Sequence, residues 1–267
     1  MFTKQDIFKQ FEEMGAPQDS VVMIHSSLRA IGEVAGGGEG LIDIFKEYFT
    51  AEGGLLCIPT HTWANTLLAD RITLDMLEGG TCIGTLPDLA SRRADAVRTA
   101  HPSHSMAVFG ERETVLRFVE GEDRQVTPTA PDSCYGKIAA MGGKILLVGV
   151  GLERNTYMHA VEEMMEVGNR LSPSPVRTTV RYPNGEIVER YIHYHSSVGF
   201  SHVSDRFVKY EPAFRHHGCI TDGFVGNARA LLCDARGVRD TMMLVRERSG
   251  GRELCADLIP LDPAWYE

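Results

Sequence analysis

Three apolar runs in the chain each end in a polar, reactive tail. Ser20–Ile24 leads into His25-Ser26-Ser27-Leu28, and Leu55–Ile58 leads into Pro59-Thr60-His61-Thr62-Trp63. Lys144–Val150 leads into a turn on Gly149 and Gly151, and from there into NTYMHAVEE. Short continuous apolar runs bounded by glycines suit strands covered on both faces. Helical sequence lies between them, and that alternation predicts an α/β fold with a mostly parallel central sheet flanked by helices. In a parallel arrangement the polar tails gather along one sheet edge, however far apart they lie in sequence, and that edge is where such folds bind ligands.

The remaining pattern fills in helices and a hairpin. Residues 1–15 read as an amphipathic helix with Thr3 as cap and Asp6 three residues on, a capping-box spacing. Leu41–Thr50 has helical periodicity and stops before Gly53-Gly54. A polar helical region is expected from Trp63 to Arg93, with further helices over Glu111–Glu120, Ser133–Met141 and Gly226–Ala235. Asn155 or Thr156 caps the helix after the Gly149 turn. Val176–Tyr194 alternates about Asn184-Gly185, the signature of a β-hairpin. No internal repeat or long linker divides the chain, so residues 1–267 are expected to form a single domain, with a smaller α+β lobe towards the C-terminus.

Composition narrows the class. With 43% apolar and 24% charged residues the chain reads as an ordinary soluble globule. No apolar run approaches the roughly 18 residues of a membrane span, so no membrane partner is expected. The N-terminal stretch lacks the basic and apolar regions of a signal peptide. Its six cysteines are scattered without a CxxC pair, which suits a reduced, cytoplasmic protein. A net charge of −9 argues against a nucleic-acid partner. The same charge is compatible with a small cationic ligand, and equally with plain solubility.

Several residues carry candidate chemistry. His159 and Glu162 lie three apart on one helix face, just beyond a strand end and a glycine turn. They read either as a general base with its orienting carboxylate or as a solvated helix face. The glycine-rich loop Gly32–Gly38 precedes a helix N-terminus and reads as a phosphate cradle or as a flexible connection. It has neither GxGxxG nor GxxxxGK[ST] spacing. His193, His195, His216 and His217 suggest zinc ligands, polar surface or substrate contacts. Neither HExxH nor GxSxG occurs.

Taken in order, His25-Ser26-Ser27-Leu28 with Gly32-x-Val34, Pro59-Thr60, Arg98-x-x-His101-Pro102-x-x-Ser105, and LLVGVGLERNTYMHAVEE resemble the aminoglycoside N3-acetyltransferase family, also called the antibiotic N-acetyltransferases. The ordered match runs from about residue 20 to about residue 165. The resemblance implies the fold of that family, unlike that of GCN5-type acetyltransferases, and transfer of acetyl from acetyl-CoA to the 3-amino group of an aminoglycoside. It implies that His25, Ser26, Ser27, Leu28, Gly32 and Val34 hold the carrier's pantetheine and pyrophosphate. His101, Ser105, Met106 and Ala107 would line the thioester end with Thr60, whose hydroxyl is a candidate oxyanion donor. His159 would be the base and Glu162 its support. Residues about 170–220 would form a variable acceptor-side region. No metal is expected, because a thioester is already activated, and family habit suggests a homodimer. Two alternatives remain: a zinc-dependent hydrolase or amidase using His193, His195 and His216, or a CoA-binding family member acting on a non-antibiotic amine.

Overall fold

The three apolar runs are the central strands of one sheet. A computed structural model describes residues 1–68, 70–196 and 203–267. The chain runs α1 (Lys4–Met14), β1 (Val21–Ser26), α2 (Leu28–Ile31), α3 (Gly37–Phe49), β2 (Leu55–Pro59), β3 (Leu74–Asp75), α4 (Thr85–Ser91), β4 (Val97–Arg98) and β5 (Met106–Phe109). It continues through α5 (Arg112–Val119), α6 (Lys137–Ala140), β6 (Lys144–Val148), α7 (Thr156–Met164), β7 (Val176–Arg181) and β8 (Ile187–Ile192). It ends with α8 (Glu211–His216), β9 (Ile220–Val225), β10 (Ala228–Asp234) and α9 (Ala235–Arg248).

The main sheet has the order β4-β5-β2-β1-β6-β10-β9. β1 pairs parallel with both β2 and β6. β5 is antiparallel to β2 and β4, and β10 to β6 and β9. Five of the seven strands therefore point one way, and only β5 and β10 run against them. The register sets Ser26 opposite Val148, so the polar tails of β1, β2 and β6 leave from one margin, as the sequence pattern requires.

Strand alternation sorts the core into two layers. Val21, Met23, Ile145 and Leu147 face α5, α6, α7 and α9. Val22, Ile24, Leu146 and Val148 face α1, α3 and α4. On that second face Phe11 of α1 packs on Tyr48 and Phe49 of α3, with ring centroids 4.8 Å apart in both pairs. The Thr3 cap forms as expected: its hydroxyl accepts from the Asp6 amide at 3.3 Å, and Asp6 accepts from the Thr3 amide at 2.8 Å.

The smaller sheet has the order β3-β7-β8. β7 and β8 are the expected hairpin, turning at Gly185 with φ +86. Its third strand is recruited from far upstream, with Leu74 opposite Val180. Residues 197–202, inside the expected acceptor-side region, lie outside the described residues.

Three helix expectations are corrected. Residues Ala228–Asp234 form β10, and the helix starts only at Ala235. The run is apolar enough for either state, but its pairing with buried β6 decides for the strand, and Asp234 then caps α9 by accepting from the Gly237 amide at 2.6 Å. Among the described residues of the Trp63–Arg93 region, a 3₁₀ turn, Trp63–Asn65, and α4 alone are helical. Gly79, Gly80 and Gly84 take positive φ between them. Of Ser133–Met141 only Lys137–Ala140 is α-helical, because Ser133 is spent closing a turn onto Ala130.

Candidate active site

At the margin where β1, β2 and β6 end lies a cavity of about 820 Å³. β1 supplies His25 and Ser26, β2 supplies Pro59 and the adjoining His61, and α7 supplies Thr156 and His159. The chain reaches α7 through a tight turn at Gly149, where φ is +66 and a Cβ atom would stand 2.5 Å from that of Ala30. Only glycine fits both demands. Asn155 then caps α7, its side chain accepting from the Tyr157 amide at 3.2 Å.

His159 Nδ1 lies 3.1 Å from Glu162 Oε2. The other carboxylate oxygen, Oε1, accepts from Arg170 Nε at 2.7 Å, and Arg170 also donates to Glu253 at 2.7 Å. Burial pushes the Glu162 carboxyl up, but the His159 hydrogen bond and the Arg170 charge outweigh it and hold the group below the usual carboxylate range. An ionised carboxylate only accepts, so Nδ1 carries the imidazole proton and Nε2 is left as the acceptor. The His159 side chain is 16% exposed, enough to meet a ligand, whereas Glu162 is 3% exposed.

Besides His25 and His159, three imidazoles line the same cavity. His195 packs on His159 with ring centroids 4.4 Å apart, His104 on His195 at 4.8 Å, and His61 on His104 at 4.3 Å. Burial holds His61 and His104 well below the ordinary imidazole value. His61 Nε2 is 2.7 Å from the Tyr135 hydroxyl, and His104 Nδ1 is 2.9 Å from Ser103 Oγ. Burial likewise takes His25 and His101 down to about 3. His25 Nε2 is buried with no hydrogen-bond partner among the described residues.

The other residues singled out from the sequence fall at varied distances from the wall. Thr60 points away from the cavity, because Pro59 and His61 on either side of it take the wall positions. Its hydroxyl is 2.9 Å from Ser105 Oγ and accepts from Arg98 Nε at 3.2 Å. Met106 and Ala107 are fully buried in β5, one in each core layer. His101 and Ser105 are buried behind the wall. Ser27 caps α2, accepting from the Ala30 amide, and Leu28 packs on the α3 side of the sheet. Gly32 takes φ +88 beside Asn227, and Val34 bridges to Phe2. α3 begins at Gly37, with Gly36 as its cap and no side-chain capping bond.

The zinc trio is not assembled. His193 Nδ1 is 2.6 Å from the Ser172 carbonyl, His195 faces Glu163, and His216 packs on His217 and Tyr266. Among the described residues no three His, Cys, Asp or Glu side chains are grouped to hold a metal ion. Sequence reading passed over Glu163 and Arg170 and weighed His195 as a metal ligand, polar surface or a substrate contact, without pairing it to a carboxylate. The Glu162-Glu163 pair was the one signal for the first; nothing marked Arg170.

The family model for aminoglycoside 3-N-acetyltransferases matches residues 23–245. The chain belongs to this family. Its members are acyltransferases, and one relative, the aminoglycoside N(3)-acetyltransferase VII of Streptomyces paromomycinus, is 29% identical over 94% of this chain and 93% of its own length. The structure of aminoglycoside acetyltransferase AAC(3)-IVa as apoenzyme superposes with TM-score 0.75 at 23% identity, covering 95% of each chain. That of AAC-IIIb with CoASH gives TM-score 0.76 at 18% identity, covering 92% of this chain and 97% of the other. The expected family and α/β fold are thus both found. Among the described residues no helix is long and apolar enough to cross a membrane.

Proposed function

We propose that this protein transfers acetyl from acetyl-CoA to the 3-amino group of an aminoglycoside, with His159 as general base and Glu162 holding it. The observation that carries the reading is the His159–Glu162 contact of 3.1 Å at the wall of the 820 Å³ cavity, in a chain of this family. Supporting it on the ligand side, AAC-IIIb is solved with CoASH, and AAC-VIa is solved with sisomicin.

The chemistry follows from the pair. The attacking nitrogen must shed a proton as its bond to the thioester carbonyl forms, and His159 Nε2, the acceptor nitrogen of the ring, takes it. Glu162, held ionised by its His159 and Arg170 contacts, steadies the resulting imidazolium and fixes the ring. The carbon–sulfur bond then breaks, and the same imidazolium returns its proton to the departing thiolate. His25 and Ser26 are proposed contacts for the donor's pantetheine end, since both line the cavity and His25 Nε2 is buried without a partner among the described residues. Acidic side chains are abundant over the chain, which carries a net charge of −9 and so suits a polycationic acceptor.

The test is a thiol-release assay with acetyl-CoA across aminoglycosides and simple amino sugars. Turnover with an aminoglycoside, and acetylation at its 3-amino group, is the expected result. Release only with small metabolite amines would move the acceptor class, and no release with any amine would end the reading. A cytoplasmic homodimer belongs to the same proposal, to be checked by light scattering.

A further inference from the structure

α7 carries two consecutive carboxylates, and each holds a different imidazole at the same cavity. Glu162 holds His159, as described. Glu163 Oε1 lies 3.5 Å from His195 Nε2 and accepts from both the amide and the hydroxyl of Thr129, at 2.9 and 2.5 Å. The Thr129 hydroxyl proton is thereby used, so the 3.3 Å contact between Thr129 Oγ1 and His195 Nε2 runs from the ring to the oxygen. Nε2 is then the protonated nitrogen of His195, and Nδ1 is its acceptor. The two rings pack against each other, tilted by 35°, with centroids 4.4 Å apart.

We infer that His195, set by Glu163 and Thr129, is a second proton acceptor, and that it strips the substrate ammonium before His159 acts on the amine. This rests on the acetyl-transfer reading above. An ammonium has no lone pair, so two protons must leave the nitrogen before an amide is complete. His195 takes the first, giving the neutral amine. The nitrogen lone pair then forms the C–N bond, and His159 takes the second proton. The C–S bond breaks, His159 returns its proton to the thiolate, and His195 releases its own to water, the one net proton of the reaction. A single imidazole cannot hold both protons at once; two rings with separate carboxylates can take them in turn. Burial and the neighbouring His159 ring hold His195 below the ordinary imidazole value, so it gives its proton up readily. The titratable groups facing it are Glu163, Glu162 and His159 from α7, with His61, His101 and His104 from the opposite wall.

The experiment compares His195→Gln and Glu163→Gln with the unmodified protein, using acetyl-CoA and sisomicin across a pH series, with thermal melts as a check on folding. Removing the first acceptor should cost about 10²-fold in kcat at about pH 6.5, where the amine is charged, narrowing to about ten-fold or less at about pH 9.5, where a growing share is already neutral. Glu163→Gln should show the same narrowing with a smaller deficit, and it carries the test alone where His195→Gln does not fold. A deficit of constant size across the series would assign His195 a structural part and overturn the inference, leaving acetyl transfer intact. Absence of acetyl transfer in the unmodified protein would remove both readings together.

Discussion

Arg170 donates to Glu162 at 2.7 Å with both side chains almost wholly out of water. This bond adds to the His159 contact in keeping a carboxylate ionised inside the protein, and the ionised carboxylate decides which nitrogen of His159 carries the proton. His159→Ala should lower kcat by about 10² to 10⁴-fold with the fold retained. Full turnover in that variant, read by thiol release, would remove His159 as the base.

Arg170→Met tests the support separately. Without the guanidinium the Glu162 pKa rises, since burial pushes it up and the His159 contact is left to hold it down without the Arg170 charge. The carboxyl then protonates over a range where it is now charged, and the hydrogen bond to Nδ1 weakens. The acid limb of the pH–rate profile should move to higher pH. Breaking one side of a buried ion pair should also lower stability by about 3–5 kcal/mol, measured by urea unfolding.

Thr60 separates a positioning role from a catalytic one. Arg98 is half-buried behind the cavity, donating to the carbonyls of Thr60, Gly80 and Asp75, and desolvation brings its pKa down to about 10. Thr60→Val removes a hydroxyl from this network and should cost about 1–2 kcal/mol of stability. Its effect on kcat should stay below about ten-fold, because a lost oxyanion donor would cost about 10² to 10³-fold. A kinetic loss of that larger size would restore Thr60 as an oxyanion donor.

What the sequence made legible was local or periodic. The three apolar runs are β1, β2 and β6, Asn155 caps α7, and Asn184-Gly185 turns the β7–β8 hairpin. The i,i+3 spacing of His159 and Glu162 forecast their contact. The misses come from pairings across the chain. β10 is a strand because β6 lies beside it, a fact no window around residue 230 contains. Thr129 and His195 meet across 66 residues, so the second imidazole–carboxylate pair has no sequence pattern of its own. His61 was within reach, since alternation after Pro59 puts it on the same side as that wall residue.

Acid should weaken the fold through buried histidines. His25 has a folded pKa of about 3 because burial disfavours its cation, against an ordinary 6.5. The unfolded chain therefore binds more protons throughout that interval, so stability is fully present above about pH 6.5 and falls as pH drops towards 3. Each such group should contribute a slope of about 1.4 kcal/mol per pH unit. His25→Gln should make the fall between about pH 6 and pH 5 shallower by that amount, read from urea midpoints. Carboxylates with lowered values, Glu162 among them, lose their contribution below about pH 4.5, outside this window. An unchanged slope would mean that His25 titrates alike in both states.

Gly149 joins the sheet to α7, and its replacement tests how closely geometry there governs chemistry. Alanine at φ +66 costs about 1–2 kcal/mol for the left-handed backbone. The added methyl would also lie 2.5 Å from the Ala30 Cβ and 3.3 Å from that of Ala228. Neither neighbour has a flexible end to move, so β6 and α2 must part or the turn must swing, carrying α7 with it. Gly149→Ala should therefore lower stability by about 2–4 kcal/mol, the backbone strain plus overpacking. It should also lower kcat by about 10²-fold, because displacing the proposed base by about an ångström loses that much. A stable protein with normal turnover would show that α7 takes its position from its own core contacts through Tyr157, Met158 and Val161, not from the turn.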